Sequence, residues 1–128
     1  MPYVPHPHHR SPGFAYKKSQ WTITEAEEVN AFNDAVQNAW QGDDCFWGLH
    51  LVANQPCVLG ISPPPDSENL KLAKFVSNDA VNWHGYPVAH WRCPWDRPAM
   101  HVLRAWNEAG IVDWPAVARI SRGKKCSL

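Results

Sequence analysis

Apolar positions first settle into a regular spacing after Thr24. Val29, Phe32, Val36, Ala39 and Trp40 recur three or four residues apart, which places them on one face of a helix. Thr24-Glu-Ala-Glu27 in front of them has the form of a capping box. Its threonine hydroxyl accepts from the N3 amide, and the N3 glutamate reaches back. Gly42 follows the last apolar position and suits a helix end. The pattern predicts a helix over about 25–41.

The period then shortens to two. Phe46–Ala53 and Cys57–Ser62, separated by Asn54-Gln-Pro56, read as a β-hairpin. Trp47, Leu49 and Leu51 share one face; Phe46, His50 and Val52 share the other. Three successive prolines make 62–67 a loop. Leu70–Val76 reads as a third strand and Ser77-Asn-Asp79 as a turn. Val81–Trp91 reads as a fourth strand, interrupted at Gly85-Tyr-Pro87, because proline marks an edge, a bulge or a break.

Helical spacing returns near the end of the chain. Asp96 is the expected N-cap of a second helix, with Pro98 in its first turn. Ala99, Val102, Leu103, Trp106 and Ala109 form its apolar stripe, and Gly110 ends it. A short third helix is expected to start at Asp113-Trp-Pro115, bury Val117 and Ile120, and stop at Gly123. Strands grouped between helices, rather than alternating with them, predict the α+β class. The expected architecture is about four mostly antiparallel strands between an N-terminal helix and one or two C-terminal helices. Residues 1–20 have four prolines and no apolar period, and are expected to form an irregular arm before a single domain over 21–128.

Composition narrows the range of functions. A length of 128 residues suits one domain with a core of its own. Twelve basic and twelve acidic residues cancel, so nucleic-acid binding, which draws on surplus Lys and Arg, is not expected. No apolar run of about 18 residues is present, and no membrane span is expected. The opening residues lack a basic segment followed by an apolar one, so no secretory leader is expected. Cysteines 45, 57, 93 and 126 form no CxxC pair. They read as reduced thiols, which fits a cytoplasmic location.

The densest chemistry is in 82–101, NWHGYPVAHWRCPWDRPAMH, which holds three of the eight tryptophans and three of the seven histidines. Trp, Tyr and Arg dominate the centres of binding surfaces. Tyr86, Trp91, Arg92, Trp95 and Arg97 are therefore the candidate binding residues. The main expectation is a soluble interaction protein that uses the aromatic–histidine surface around 83–97 to bind a protein partner or a small ligand. One alternative is a metal- or Cys/His-dependent enzyme centred on His84, His90, Cys93 and His101. Imidazole and thiolate are zinc ligands. However, the recognised zinc spacings are absent, and His84 and His90 lie about 20 Å apart on an extended strand unless 85–87 turns. No cofactor is expected on that ground. In the same segment Cys93 is a candidate nucleophile, with His90 or His101 as its base and a helix N-terminus to favour the thiolate. The other alternative is a ribonuclease-type or nucleic-acid-binding protein that uses these histidines with Arg92, Arg97, Arg104, Arg119 and Arg122. His6, His8 and His9 form a further cluster, in the arm.

Overall fold

In the computed structural model, which describes residues 1–126 and 128, the chain is α+β. Its strands are shorter and more numerous than the four expected. They are β1 (Gln20–Trp21), β2 (Cys45–Gly48), β3 (His50–Val52), β4 (Gln55–Cys57), β5 (Gly60–Ile61), β6 (Asn69–Leu70), β7 (Leu72–Ser77) and β8 (Trp83–Val88). The helices are α1 (Glu25–Gln37), α2 (Met100–Glu108) and α3 (Trp114–Ser121). All strand pairs in the named sheets are antiparallel, in the orders β2-β7-β8, β1-β5-β6 and β3-β4. No helix is long and apolar enough to cross a membrane among the described residues.

Each helix start follows from local chemistry. At Thr24 the capping box is complete: Glu27 N–H donates to the threonine hydroxyl at 3.1 Å, and Thr24 N–H to the Glu27 carboxylate at 2.9 Å. Asp113 caps α3 by accepting from the Ala116 amide at 2.9 Å. The expectation for Asp96 fails. α2 starts at Met100 after Ala99, with no side-chain cap, and Asp96 instead ends a separate 3-10 turn, Pro94–Asp96. Two prolines, Pro94 and Pro98, stop one continuous helix from reaching back that far.

The expected hairpin is divided between sheets. β2 leaves 57–62 unpaired with it and joins β7 instead, with Phe46 opposite Phe75 and Gly48 opposite Ala73. A hairpin does form at the tip, β3 with β4, but it is tighter than expected: the turn is at Ala53-Asn54, and Gln55 and Pro56, expected in the break, pair with Val52 and Leu51. Beyond Leu49 the chain changes sheet, so one period-two run serves two different neighbours. β8, in contrast, runs unbroken through Gly85-Tyr-Pro87. Pro87 is tolerated because β8 is the outer strand of its sheet. Gly85 is required by packing. A Cβ there would lie 2.2 Å from Phe75 Cδ1, and one at Gly48 would lie 2.5 Å from Phe75 Cε2. The buried Phe75 ring thus rests over two glycines on its flanking strands.

α1 packs on β2 and β3, and α2 on α3. One buried cluster joins Phe32, Ala35, Phe75, Leu103, Trp106, Val117 and Ile120. Phe32 meets Trp83 and Phe46, and Trp40 meets Trp106 edge-on. Most of the apolar area that drives folding is collected here.

The arm is docked rather than loose. Val4 N–H donates to the Trp83 carbonyl at 2.7 Å and Trp83 N–H to the Pro2 carbonyl at 2.9 Å, so residues 2–4 extend the edge of β8 in a short parallel bridge. Tyr3 O–H then donates to the Glu28 carboxylate of α1. Arg10 Nε donates to the same carboxylate at 2.9 Å, and Arg10 Nη1 donates to the Ile23 carbonyl at 2.9 Å. Arg10 Nη2 also comes within 2.8 Å of that carboxylate, without hydrogen-bond alignment. Glu28 is fully buried. It is thus a buried anion clamped by two arm residues.

Candidate functional site

The docked arm closes one side of a cleft of about 480 Å³. β8 supplies its floor. Trp83, Gly85 and Pro87 alternate with His84, Tyr86 and Val88. Trp83 and Gly85 of the first set meet the core, where Trp83 packs on Phe32 and Phe46, while Pro87 also borders the cleft. The second set lines the cleft, with His6, His8, His9, Lys17, Lys18 and Ser19 from the arm and Arg92, Cys93, Trp95 and Asp96 from the far wall.

Imidazole rings are concentrated at the arm end. The His6 ring is 4.7 Å from that of His8 and 5.4 Å from that of His84. His8 stacks on Phe14 and His9 on Tyr86. His9 Nδ1 lies 2.7 Å from the Ser19 carbonyl, which can only accept, so Nδ1 carries the proton. His6 Nδ1 accepts from the His8 amide at 3.2 Å, so that nitrogen is bare. Burial, followed by the neighbouring positive groups, holds His6 below its ordinary pKa. Burial lowers His9 to about 4, against the opposing bond to Ser19. Both rings are therefore neutral near pH 7, and the fixed positive charge of the cleft comes from Lys17, Lys18 and Arg92. Tyr86 is pushed up to about 12, first by burial and then by the Asp96 carboxylate. Its O–H remains a donor, with no hydrogen-bond partner among the described residues.

Asp96 is the one carboxylate among the described residues that lines the cleft. Burial raises its pKa and Lys74 opposes the rise, with Lys74 Nζ 3.9 Å from its oxygen. The same ammonium donates to the Trp95 carbonyl at 2.7 Å. The turn 94–96 is thereby tied to β7, and the Trp95 indole is held outward, 68% exposed.

The structure separates the five candidate binding residues. Tyr86, Arg92 and Trp95 share this cleft. Trp91 faces a second cleft with His90 and Lys125, whose ammonium lies over the indole at 5.5 Å. Arg97 is a brace: its Nε donates to the His90 carbonyl at 3.2 Å, and its guanidinium covers Gly123, where a Cβ would be 2.0 Å from Nη2.

The metal and nucleophile candidates are also separated. His90 is buried and donates through Nε2 to the Lys124 carbonyl at 2.7 Å. His101 donates through Nε2 to the Gln41 carbonyl at 2.6 Å. His84 faces the arm histidines instead of either of these. Among the described residues no group of three or more His, Cys, Asp or Glu side chains is placed to hold a metal ion. Cys93 is half-buried in the cleft wall, but the helix expected to activate it starts seven residues later, at Met100. Arg104, Arg119 and Arg122 do not line the cleft. The arm's contribution escaped sequence reasoning. A histidine cluster in a proline-rich terminus looks the same whether it is loose or docked. The only local signal was that Tyr3 and Arg10 flank it.

Comparison with known proteins adds no assignment: no family model, curated protein or solved structure matches the chain.

Proposed function

We propose that the protein is a small cytoplasmic binding protein whose cleft between the arm and β8 takes a small anionic ligand. One observation carries this reading. Lys17, Lys18, Arg92, His84 and Tyr86 all line one open cleft, in which Asp96 is the one carboxylate among the described residues. A cleft of this size is in the range of small-molecule sites, and a few converging polar groups are what such sites use for orientation. Neutral net charge does not oppose the reading, because the positive groups are gathered locally. The surface pair of Arg92 with Asp66, at 3.2 Å, is exposed and is easily exchanged for a ligand. The cytoplasmic location is supported by four free cysteines, none in a disulfide.

The test is an NMR titration with sodium phosphate, and with choline chloride as a cationic control. Phosphate is expected to shift the signals of His84, Tyr86 and Arg92 saturably, with affinity falling as NaCl rises. Lys18→Ala and Arg92→Ala are each expected to weaken binding several-fold. Equal shifts from choline, or changes confined to the surface around Trp91, would exclude this cleft.

A further inference from the structure

Resting on that reading of the cleft, we propose that the ligand is a nucleoside monophosphate, with its phosphate among the basic groups and its base against Trp95.

The cleft lining offers two kinds of group. Basic and donor side chains come from three elements: Lys17 and Lys18 from the arm, His84 and Tyr86 from β8, and Arg92 from the far wall. A carboxylate presents two oxygens in one plane. A terminal phosphate presents three in a tetrahedral array and satisfies donors arriving from several sides. On the far wall, with Arg92, stands the Trp95 indole with its apolar area in water. Its backbone is not free to fold that ring away. Lys74 Nζ grips the Trp95 carbonyl, Asp96 N–H donates to the Cys93 carbonyl at 3.0 Å, and Arg97 N–H to the Pro94 carbonyl at 3.3 Å. A braced, exposed tryptophan at the rim of a basic cleft is a stacking platform for a planar ring. Phosphate at one end and a flat heterocycle at the other is the make-up of a nucleotide. One nucleotide, rather than a long strand, suits both the zero net charge and the closing of the arm side by residues 6–19.

The experiment is isothermal titration of the full chain with AMP, ribose 5-phosphate and inorganic phosphate, at fixed low salt. AMP is expected to bind about tenfold more tightly than ribose 5-phosphate, the increment being the stacked base. Trp95→Ala is expected to remove that increment and leave ribose 5-phosphate binding unchanged. Trp114→Ala, at an exposed tryptophan outside the cleft, is expected to change neither. Arg92→Ala is expected to weaken both ligands alike. If AMP and ribose 5-phosphate bind equally, or if Trp95→Ala weakens both by the same factor, the nucleotide assignment is overturned and the anionic cleft stands. If none of the three phosphates binds, both fall.

Discussion

At the scale of single residues, the helix ends show how a small conformational need decides a boundary. All three helices close with the same pair of bonds. In α2, Gly110 N–H donates to the Asn107 carbonyl and Ile111 N–H to that of Trp106. In α3, Gly123 N–H donates to the Ile120 carbonyl and Lys124 N–H to that of Arg119. Both glycines have the left-handed backbone this motif requires. In α1, Ala39 N–H donates to the Val36 carbonyl and Trp40 N–H to that of Ala35, so an alanine at φ 55° occupies the glycine position. This explains why the sequence pattern overran the end of α1. It pointed to Gly42 because a glycine was there, while the turn had already been made at Ala39. An alanine in this conformation is strained and Ala39 is exposed, so the methyl gains little from packing. Ala39→Gly is expected to stabilise the protein by about 0.5–1 kcal/mol, read from the midpoint of urea unfolding. A lowered midpoint would mean that the methyl makes a contact that matters more than the strain.

At the scale of elements, the buried face of α1 was displaced by a charge. Apolar spacing placed Val29, Phe32, Val36, Ala39 and Trp40 on the inner face, whereas Glu28, Ala31, Phe32 and Ala35 are the buried helical positions. Glu28 reads as a solvent-facing first-turn acid until the arm covers it. Burial pushes its carboxyl up, and the Tyr3 hydroxyl and Arg10 guanidinium pull it back. Removing one partner of such a pair leaves an uncompensated charge. Glu28→Gln is therefore expected to cost about 3 kcal/mol and to expose the Tyr16–Lys18 segment to trypsin in a time course. Unchanged stability and unchanged cleavage would mean that the arm is held by other contacts. The arm also protects the edge of β8. Its backbone pairs with Trp83, Trp21 Nε1 donates to the Gly85 carbonyl at 3.2 Å, and Ser19 Oγ donates to the Pro87 carbonyl at 2.7 Å. An edge strand covered in this way is unavailable for pairing with another chain.

At the scale of the whole molecule, stability depends on the protonation of histidines that folding buries, at the arm and beside the C-terminal segment. His9, His6 and His90 all have pKa values below the ordinary 6.5, chiefly because of burial. Below pH 6.5 the unfolded chain therefore takes up protons that the folded chain refuses. Stability falls as pH falls, for His9 across the interval from 6.5 to about 4. Glu28 and Asp96 have raised values and act with the opposite sign nearer the carboxylate range. His9→Gln keeps a donor for the Ser19 carbonyl and removes the titration. The variant is expected to lose less stability than the parent between pH 6.5 and 4, measured by thermal unfolding at several pH values. Parallel curves would show that His9 does not govern this loss.

Local chemistry by itself determined the α+β class, the capping box at Thr24, the Asp113 cap, and the glycine ends of α2 and α3. Each of these depends on residues within a few positions of one another, where bond geometry and side-chain period suffice. Tertiary structure alone decided the partner of β2, the release of Asp96 from helix capping, the burial of Glu28 and the meeting of His6 with His84. Those outcomes depend on which distant surfaces desolvate each other. The same period-two run or terminal histidine cluster is compatible with several such pairings, and the pairing that buries Phe75, Trp106 and the Glu28 clamp together is the one that forms the cleft.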